Sequence, residues 1–342
     1  MKVLFIGGSG TISSACAKEC WRQGIDLWVL LRGTRDYRIS HPDRIIHGDI
    51  KKDPASVARL LTNQKWDCVV DWVAFNEADI VRDFEFFRGK TKKYIFISTT
   101  SVYKKPLVSP IVNETAPIGN HILPYAEIKA RAEQLLLQLF REEDFPAVII
   151  RPGHVYADFV PITGFRGMGF GLMDRIMRGK PILVHGDGLG LWSAIYNEDF
   201  ARFFVPLIGL QTIVGETIQI TSDELLTWSQ IYQFSARSIG REIELVTAPS
   251  NLINEFDREI GSTLLGDKAF SHVFDNSKLK RLVPHVESSL SFWEGVQRCA
   301  LYYLENLNQI SVNQALDKLM DQIIYHVHSK NIQESLRLVS DL

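Results

Sequence analysis

Short apolar runs of strand length recur along the first two thirds of the chain, separated by segments with helical spacing. Runs rich in β-branched and aromatic residues predict strands at residues 2–6, 26–31, 44–47, 67–73, 93–97 and 147–150. The intervening segments predict four helices. One covers 11–23, a second begins near residue 54, a third ends near residue 87, and a fourth covers 124–143. Because continuously apolar strands are typical of sheets covered on both faces, this alternation predicts an α/β fold with a doubly wound parallel sheet.

The pattern changes after residue 152. Residues 153–188 and 226–342 have mainly helical patterns, whereas a segment at about 189–225 carries a further strand at 217–221. We therefore expect a large lobe of residues 1–152, to which 189–225 returns, and a smaller, mainly helical C-terminal lobe. Phenylalanine and glycine residues are interspersed between 153 and 180. This composition fits either a mobile flap or a long loop anchored by its aromatic rings.

Composition favours a small-molecule partner. The chain has 342 residues, 46% of them hydrophobic, and a formal net charge of −2. A nearly neutral protein has no field that would attract nucleic acid or an anionic membrane surface. No apolar run reaches the length of a membrane span, so we expect no membrane association.

The cysteines indicate a reducing compartment. Four cysteines without a secretory leader pattern predict free thiols and a cytoplasmic protein. Cys16 and Cys20 lie one helical turn apart, but no Cys or His pair lies near them in the sequence. We expect these two side chains to pack a helix against the sheet and predict no metal site.

A glycine-rich turn follows the first strand directly. Gly7 and Gly10 lack a Cβ, so the backbone can approach a ligand closely there, and the helix that follows offers unpaired N–H groups to an anion. This combination at the end of a buried strand predicts a dinucleotide pyrophosphate site. The spacing is Gly-x-x-Gly, with Ser13 where a third glycine is usual.

The ends of the second and third strands bear on which dinucleotide binds. The second strand ends at Leu31 and is followed by Arg32, with no carboxylate before Asp36. Arginine at this position suits a ribose 2′-phosphate, so NADP is favoured over NAD. Asp49 follows the third strand, where it could contact the adenine or cap the helix that begins near Pro54.

A tyrosine and a lysine at helical spacing are candidates for proton transfer. Tyr125 and Lys129 are four residues apart, so their polar ends share one helix face. An adjacent ammonium favours the phenolate and brings the tyrosine towards a useful acid–base range. Thr99, in the hydroxyl-rich patch after the fifth strand, could hydrogen-bond the reacting oxygen while a nicotinamide transfers hydride.

These motifs together resemble the extended or atypical short-chain dehydrogenase/reductase family, the NAD-dependent epimerase/dehydratase group. The resemblance covers about two thirds of the chain. It implies a Rossmann dinucleotide domain at 1–152, a substrate lobe at 153–188 and 226–342, and a homodimer through the helix of Tyr125 and its predecessor. It also implies roles for particular residues: Tyr125 as acid–base, Lys129 on the nicotinamide ribose, Thr99 on the substrate, Gly7, Gly10, Thr11 and Ile12 at the pyrophosphate, Asp49 and Ile50 at the adenine, and Ala74 beside the cofactor.

Two departures from the family pattern narrow the expected activity. Dehydratases of the family place Asp-Glu after the catalytic threonine, whereas this chain has Thr100 and Ser101, so a 4,6-dehydratase is disfavoured. Trp192 stands where nucleotide-sugar members usually carry an arginine that grips the diphosphate.

We therefore predict an NAD(P)-dependent oxidoreductase or epimerase acting on a secondary alcohol or ketone of a sugar or sugar-nucleotide-like substrate. The alternative is a catalytically weak nucleotide-sensing or RNA-binding protein on the same fold.

Overall fold

The computed structural model describes the backbone of residues 1–340 and the side chains of residues 1–330. In chain order, the strands are β1 (Lys2–Ile6), β2 (Asp26–Leu31), β3 (Ile45–His47), β4 (Cys68–Asp71), β5 (Tyr94–Ile97), β6 (Ile111–Val112), β7 (Ala147–Pro152), β8 (His154–Tyr156), β9 (Ile182–His185), β10 (Leu191–Trp192), β11 (Ala194–Tyr196), β12 (Thr217–Ile220), β13 (Leu226–Thr227), β14 (Leu245–Ala248) and β15 (Val273–Phe274).

The helices are α1 (Thr11–Arg22), α2 (Pro54–Leu61), α3 (Glu77–Phe87), α4 (Pro124–Glu143), α5 (Gly171–Met177), α6 (Asn197–Gly209), α7 (Trp228–Ser238), α8 (Ser250–Phe256), α9 (Arg258–Thr263), α10 (Ser277–Leu282), α11 (Phe292–Glu305) and α12 (Gln314–Ser340). In the described part of the chain, none of them has the length and apolar character needed to cross a membrane.

The chain divides into two units. The first contains Met1–Val155, Ala194–Asp223 and Phe274–Ser289, and the second contains Tyr156–Ser193, Glu224–Val273 and Leu290–Leu342. Sequence analysis assigned all of 226–342 to the smaller lobe, and this is wrong for Phe274–Ser289. The segment belongs to the first unit because Leu279 and Val283 pack in its core.

The first unit is built on a seven-stranded sheet with the order β12-β7-β5-β4-β1-β2-β3. Every pair of neighbouring strands is parallel. Helices cover both faces: α1, α6 and α10 pack on one, and α2, α3 and α4 on the other. Successive residues of β1 alternate between the two cores, with Phe5 in one and Leu4 in the other. The predicted doubly wound parallel sheet is confirmed.

The second unit is mainly helical and contains two small sheets. Strand β9 pairs with β14 in parallel, and β10 pairs with β13 in an antiparallel arrangement. Arg175 of α5 bonds Asp317 of α12 at 2.6 Å, which ties the long C-terminal helix to this unit. Phe165 and Phe170 are buried, which favours the anchored loop over the mobile flap for this stretch.

A buried lysine fastens α6 to the sheet of the first unit. Lys93, immediately before β5, is 1% exposed, and its Nζ donates to the carbonyls of Leu207, Ile208 and Leu210. These carbonyls lie at the C-terminal end of α6, where the last backbone acceptors of a helix lack partners within the helix. A cation is favoured there by the helix dipole as well.

Lys93→Met should destabilise the protein by about 2–3 kcal/mol, because charged hydrogen bonds are lost and buried carbonyls stay desolvated. Urea denaturation followed by circular dichroism measures the change. Lys92→Met is the matched control, since the Lys92 side chain is 73% exposed and pairs with Asp67 at 2.8 Å. Equal losses in the two variants would contradict this account of α6.

Candidate active site

A cavity of about 580 Å³ lies at the carboxyl edge of the sheet, entirely within the first unit. It is bounded by the turn between β1 and α1, by the segment after β2, and by the loops that follow β3 and β4. Parallel strands bring these four connections together at one edge. Among the residues that line it are Gly7, Gly8, Gly10, Arg32, Arg35, Asp36, Asp49, Ile50, Lys51, Trp72 and Val73.

The turn after β1 requires glycine at two successive positions. Gly7 has φ +79°, and a Cβ there would lie 2.7 Å from Val73 Cγ1. A Cβ on Gly8 would lie 2.3 Å from Val29 Cγ1. Sequence analysis did not select Gly8, although its place in the Gly-Gly pair was a visible signal. The turn therefore brings bare backbone to the edge of the cavity.

Helix α1 begins without a side chain that could cap it. Gly10 is its N-cap residue, and the Gly10 N–H itself donates to Ser13 Oγ at 2.9 Å. The N–H groups of Thr11 and Ile12 belong to the first turn, which has no intrahelical acceptors. The Ile12 side chain packs on the core, so Ile12 would offer a ligand only backbone atoms.

Charged side chains gather at the other end of the cavity. Arg32 and Asp49 both line it, as sequence analysis expected, and so do Arg35 and Asp36. Asp49 Oδ1 accepts the N–H groups of Lys51 and Lys52 at 3.0 and 3.1 Å. Burial raises the pKa of Asp49, but these hydrogen bonds and the charge of Arg32 outweigh it, so the net pKa is lowered.

Asp49 does not cap α2. That role belongs to Asp53, whose Oδ1 accepts the N–H of Ser56 at 3.0 Å. The helix cap, one of the two alternatives from the sequence, is therefore wrong, and contact of Asp49 with the adenine stays a prediction.

Four consecutive residues after β4 join the cavity to α4. Trp72 and Val73 line the cavity. The carbonyl of Ala74 accepts a hydrogen bond from Lys129 at 2.8 Å, and the ring of Phe75 lies 5.6 Å from that of Tyr125, measured between centroids. The predicted pair on α4 is thus connected to the predicted cofactor residues by a short stretch of backbone.

Lys129 is the most constrained of the predicted catalytic residues. It is 6% exposed, and its Nζ donates to the carbonyls of Ala74 and Ile97, both at 2.8 Å. The Ala74 carbonyl lies in the loop after β4, and the Ile97 carbonyl belongs to the last residue of β5. An ammonium has three donors, so one remains beyond the two carbonyls. Burial lowers the pKa of Lys129 to about 8, against the opposing influence of the Asp71 charge.

Tyr125 and Thr99 lie near the ends of neighbouring elements. Tyr125 is the second residue of α4 and is 39% exposed. Thr99 follows β5 in an extended conformation, and its Oγ1 accepts the N–H of Ser101 at 3.2 Å. Tyr103, in the same hydroxyl-rich patch, is buried and donates to Gln219 Oε1 at 2.7 Å, which gives it a structural role.

Trp192 belongs to a buried aromatic cluster in the second unit. Its ring lies 5.1 Å from that of Trp228 and 5.0 Å from that of His272. Among the described residues, no three His, Cys, Asp or Glu side chains are arranged to hold a metal ion.

Comparison with known proteins identifies relatives of this chain. The model of the NAD dependent epimerase/dehydratase family matches residues 3–220. A 2′-dehydrokanamycin reductase of Streptomyces kanamyceticus is 21% identical over 284 residues, which cover 83% of this chain and 79% of the relative.

Two further relatives differ in length and in chemistry. A trifunctional UDP-glucose 4,6-dehydratase/UDP-4-keto-6-deoxy-D-glucose 3,5-epimerase/UDP-4-keto-L-rhamnose-reductase of Arabidopsis thaliana is 27% identical over 89% of this chain, which spans 47% of that protein. The structure of UDP-glucuronic acid 4-epimerase from Bacillus cereus in complex with NAD has a TM-score of 0.71 and 20% identity, covering 91% of this chain and 99% of that one. At this identity the structural likeness supports the fold.

The stability of wild type relative to Lys129→Met should rise with pH. Lys129 has a pKa of about 8 in the folded protein, whereas lysine in an unfolded chain titrates near about 10.4. Between these values the unfolded chain binds more protons, so the wild type should gain about 3 kcal/mol relative to the variant from about pH 8 to about pH 10 and show no change below that window.

Urea denaturation across this pH range measures the effect. Lys104→Met, which removes an exposed lysine, is the control and should show no such dependence. A stability difference between wild type and Lys129→Met that is independent of pH would contradict the buried position of the ammonium.

Proposed function

The chain belongs to the NAD-dependent epimerase/dehydratase family, and we propose that it is an NAD(P)-dependent oxidoreductase or epimerase for a secondary alcohol or ketone of a sugar or sugar-nucleotide-like substrate. The observation that carries this proposal is the connection through Val73, Ala74 and Lys129 between the glycine-lined cavity and Tyr125. It supports the proposal because it links the helix of the candidate acid–base to a loop that lines the cavity.

The residues of the cavity fit a dinucleotide. Gly7 and Gly8 leave no room for a Cβ, and the backbone N–H groups of Thr11 and Ile12 suit a pyrophosphate. Asp49 and Ile50 would hold the adenine, and the free donor of Lys129 would bind a ribose hydroxyl. When bound, the nicotinamide supplies hydride transfer.

Tyr125 acts on the proton of the reacting oxygen. It would donate that proton during carbonyl reduction and remove it during alcohol oxidation. The Lys129 ammonium, on the same helix face one turn away, favours the phenolate form of Tyr125 by its charge. Thr99 would hydrogen-bond the same substrate oxygen and fix its orientation.

Reduction or epimerisation is favoured over dehydration. Elimination of water requires an additional acid or base, and the residues after Thr99 are Thr100 and Ser101, neither of which carries a carboxylate. The relatives include a reductase, an epimerase and an enzyme with dehydratase activity. Their names support a sugar-based substrate, and the residues of this chain favour the first two chemistries.

Tyr125→Phe should leave dinucleotide affinity within about twofold of wild type while lowering turnover by at least about 100-fold, because only the proton-transfer group is removed. The assay incubates the protein and dinucleotide with a panel of keto sugars and nucleoside-diphosphate sugars and separates the products by chromatography. Tyr325→Phe, at a tyrosine that is 75% exposed, is the control. Full turnover by Tyr125→Phe would refute the role of Tyr125.

NADP should bind more tightly than NAD, and Arg32→Ala should weaken NADP binding about tenfold or more with little effect on NAD, since a charged hydrogen bond to the 2′-phosphate is lost. Paired calorimetric titrations measure both affinities. Arg59→Ala, at an exposed position on α2, is the control. Tighter binding of NAD would instead assign the ribose end to Asp36, whose carboxylate suits a free 2′-hydroxyl.

A further inference from the structure

Two carboxylates hold the loop that joins the cavity to Lys129. Asp71 Oδ1 accepts the N–H groups of Val73 and Ala74, both at 2.6 Å. Asp79 Oδ2 accepts the N–H groups of Phe75 and Asn76 at 2.7 and 3.4 Å. Two acidic side chains therefore accept hydrogen bonds from four successive N–H groups. One acid is at the end of β4 and the other is in the first turn of α3.

Arg82 connects these carboxylates. Its NH1 bonds Asp79 Oδ1 at 2.7 Å, and its NH2 lies 3.7 Å from Asp71 Oδ2. The same guanidinium donates to Asp83 Oδ1 from Nε and NH2, at 2.9 and 2.7 Å. Its planar array of five donors suits such a bridge, whereas an ammonium offers only three donors at one point.

Asp83 is the third carboxylate around Arg82. Asp71 Oδ2 is buried and has no hydrogen-bond partner among the described residues. Asp83 is fully buried, and its Oδ2 accepts a hydrogen bond from the Tyr94 hydroxyl at 2.6 Å. Burial, and then the charge of Asp71, raise the pKa of Asp83 well above its usual range.

Basic side chains pair with the carboxylates of the cluster. Arg82 pairs with Asp71, Asp79 and Asp83, and Lys51 Nζ lies 3.1 Å from Asp79 Oδ2. This pairing matters because unpaired charges are costly in a buried site. The cluster is thus able to hold the two carboxylates that accept the loop N–H groups.

The loop transmits this support to the site. Asp71 has no exposed surface, so it acts on a ligand only through the backbone it holds. Asp71 bonds the N–H groups of Val73 and Ala74. Val73 lines the cavity, and the carbonyl of Ala74 accepts the hydrogen bond from Lys129 Nζ. A loop without these acceptors would have no fixed carbonyl at that position.

We infer that Asp71, Asp79 and Arg82 are positioning residues, which fix the Ala74 carbonyl so that the Lys129 ammonium is aimed at the bound dinucleotide. This inference rests on the proposed function of Lys129. It goes further in assigning the aim of that lysine to a buried carboxylate–guanidinium cluster on β4 and α3.

A double-mutant cycle on dinucleotide affinity tests the inference. Asp71→Asn, Lys129→Met and the double variant are titrated calorimetrically with NADH and NADPH, after thermal melts show that each is folded. Asp71→Asn should weaken binding about tenfold in the wild-type background and by less than about twofold in the K129M background, because residues that act through one another are not additive.

Two further variants sharpen the comparison. Asp83→Asn should weaken binding much less than Asp71→Asn, since Asp83 bonds Arg82 and Tyr94, whereas Asp71 bonds the loop N–H groups directly. Arg88→Met, at an exposed residue just after α3 that pairs with Glu143, should have no effect. If Asp71→Asn does not fold, Arg82→Lys replaces it in the cycle with the same expected non-additivity.

The outcomes separate the two levels of the argument. In one outcome the wild type binds a dinucleotide and Asp71→Asn lowers the affinity equally in both backgrounds. This result would overturn the positioning role and leave the proposed function intact. Failure of the wild type to bind either dinucleotide would overturn the proposed function, and the inference with it. Non-additive losses that disappear in the K129M background would establish the positioning role.

Discussion

The buried ammonium of Lys129 is the interaction on which the proposed site depends. A charge removed from water needs polar partners, and the carbonyls of Ala74 and Ile97 provide them at the ends of β4 and β5. This fixes α4 against the carboxyl edge of the sheet. A second contact, the buried pair of Glu133 with Arg151 of β7, holds the same helix face two turns beyond Tyr125. The proposed acid–base therefore stands on a helix that buried charged groups, as well as its apolar face, hold to the sheet.

The distribution of polarity in the first unit follows from its sheet. Both faces are covered by apolar cores, so charged groups can be accommodated at low cost only at the strand ends, where loop N–H and carbonyl groups need partners. Asp71 and Asp79 accept hydrogen bonds from loop N–H groups, while Lys129 donates to the Ala74 carbonyl of the loop and to the Ile97 carbonyl at the end of β5. One short loop after β4 thus belongs at the same time to the cavity wall, to the buried ionic cluster and to the support of α4. These shared contacts link the stability of the fold to the geometry of the site.

Sequence was a good guide where one local signal determines the structure. Continuously apolar strands, the glycine turn and the Tyr125–Lys129 spacing predicted the parallel sheet, the cavity and the shared helix face. Sequence analysis failed where contacts between residues far apart in the chain determine the structure. Phe274–Ser289 joins the first unit through packing that no local pattern announces, and Asp79 and Arg82 look like ordinary polar residues of an amphipathic helix. Their role appears only when α3 is placed beside β4. The catalytic roles, the preference for NADP, the homodimer and the cytoplasmic location stay predictions.

A crystal structure of the protein with a reduced nicotinamide dinucleotide tests the central claim most directly. The account predicts the pyrophosphate on the backbone N–H groups around Gly10, the adenine near Asp49, and a ribose hydroxyl within hydrogen-bond distance of Lys129 Nζ, with the Ala74 carbonyl still bonded to that nitrogen. A dinucleotide bound elsewhere, or one in this cavity that makes no contact with Lys129, would contradict it.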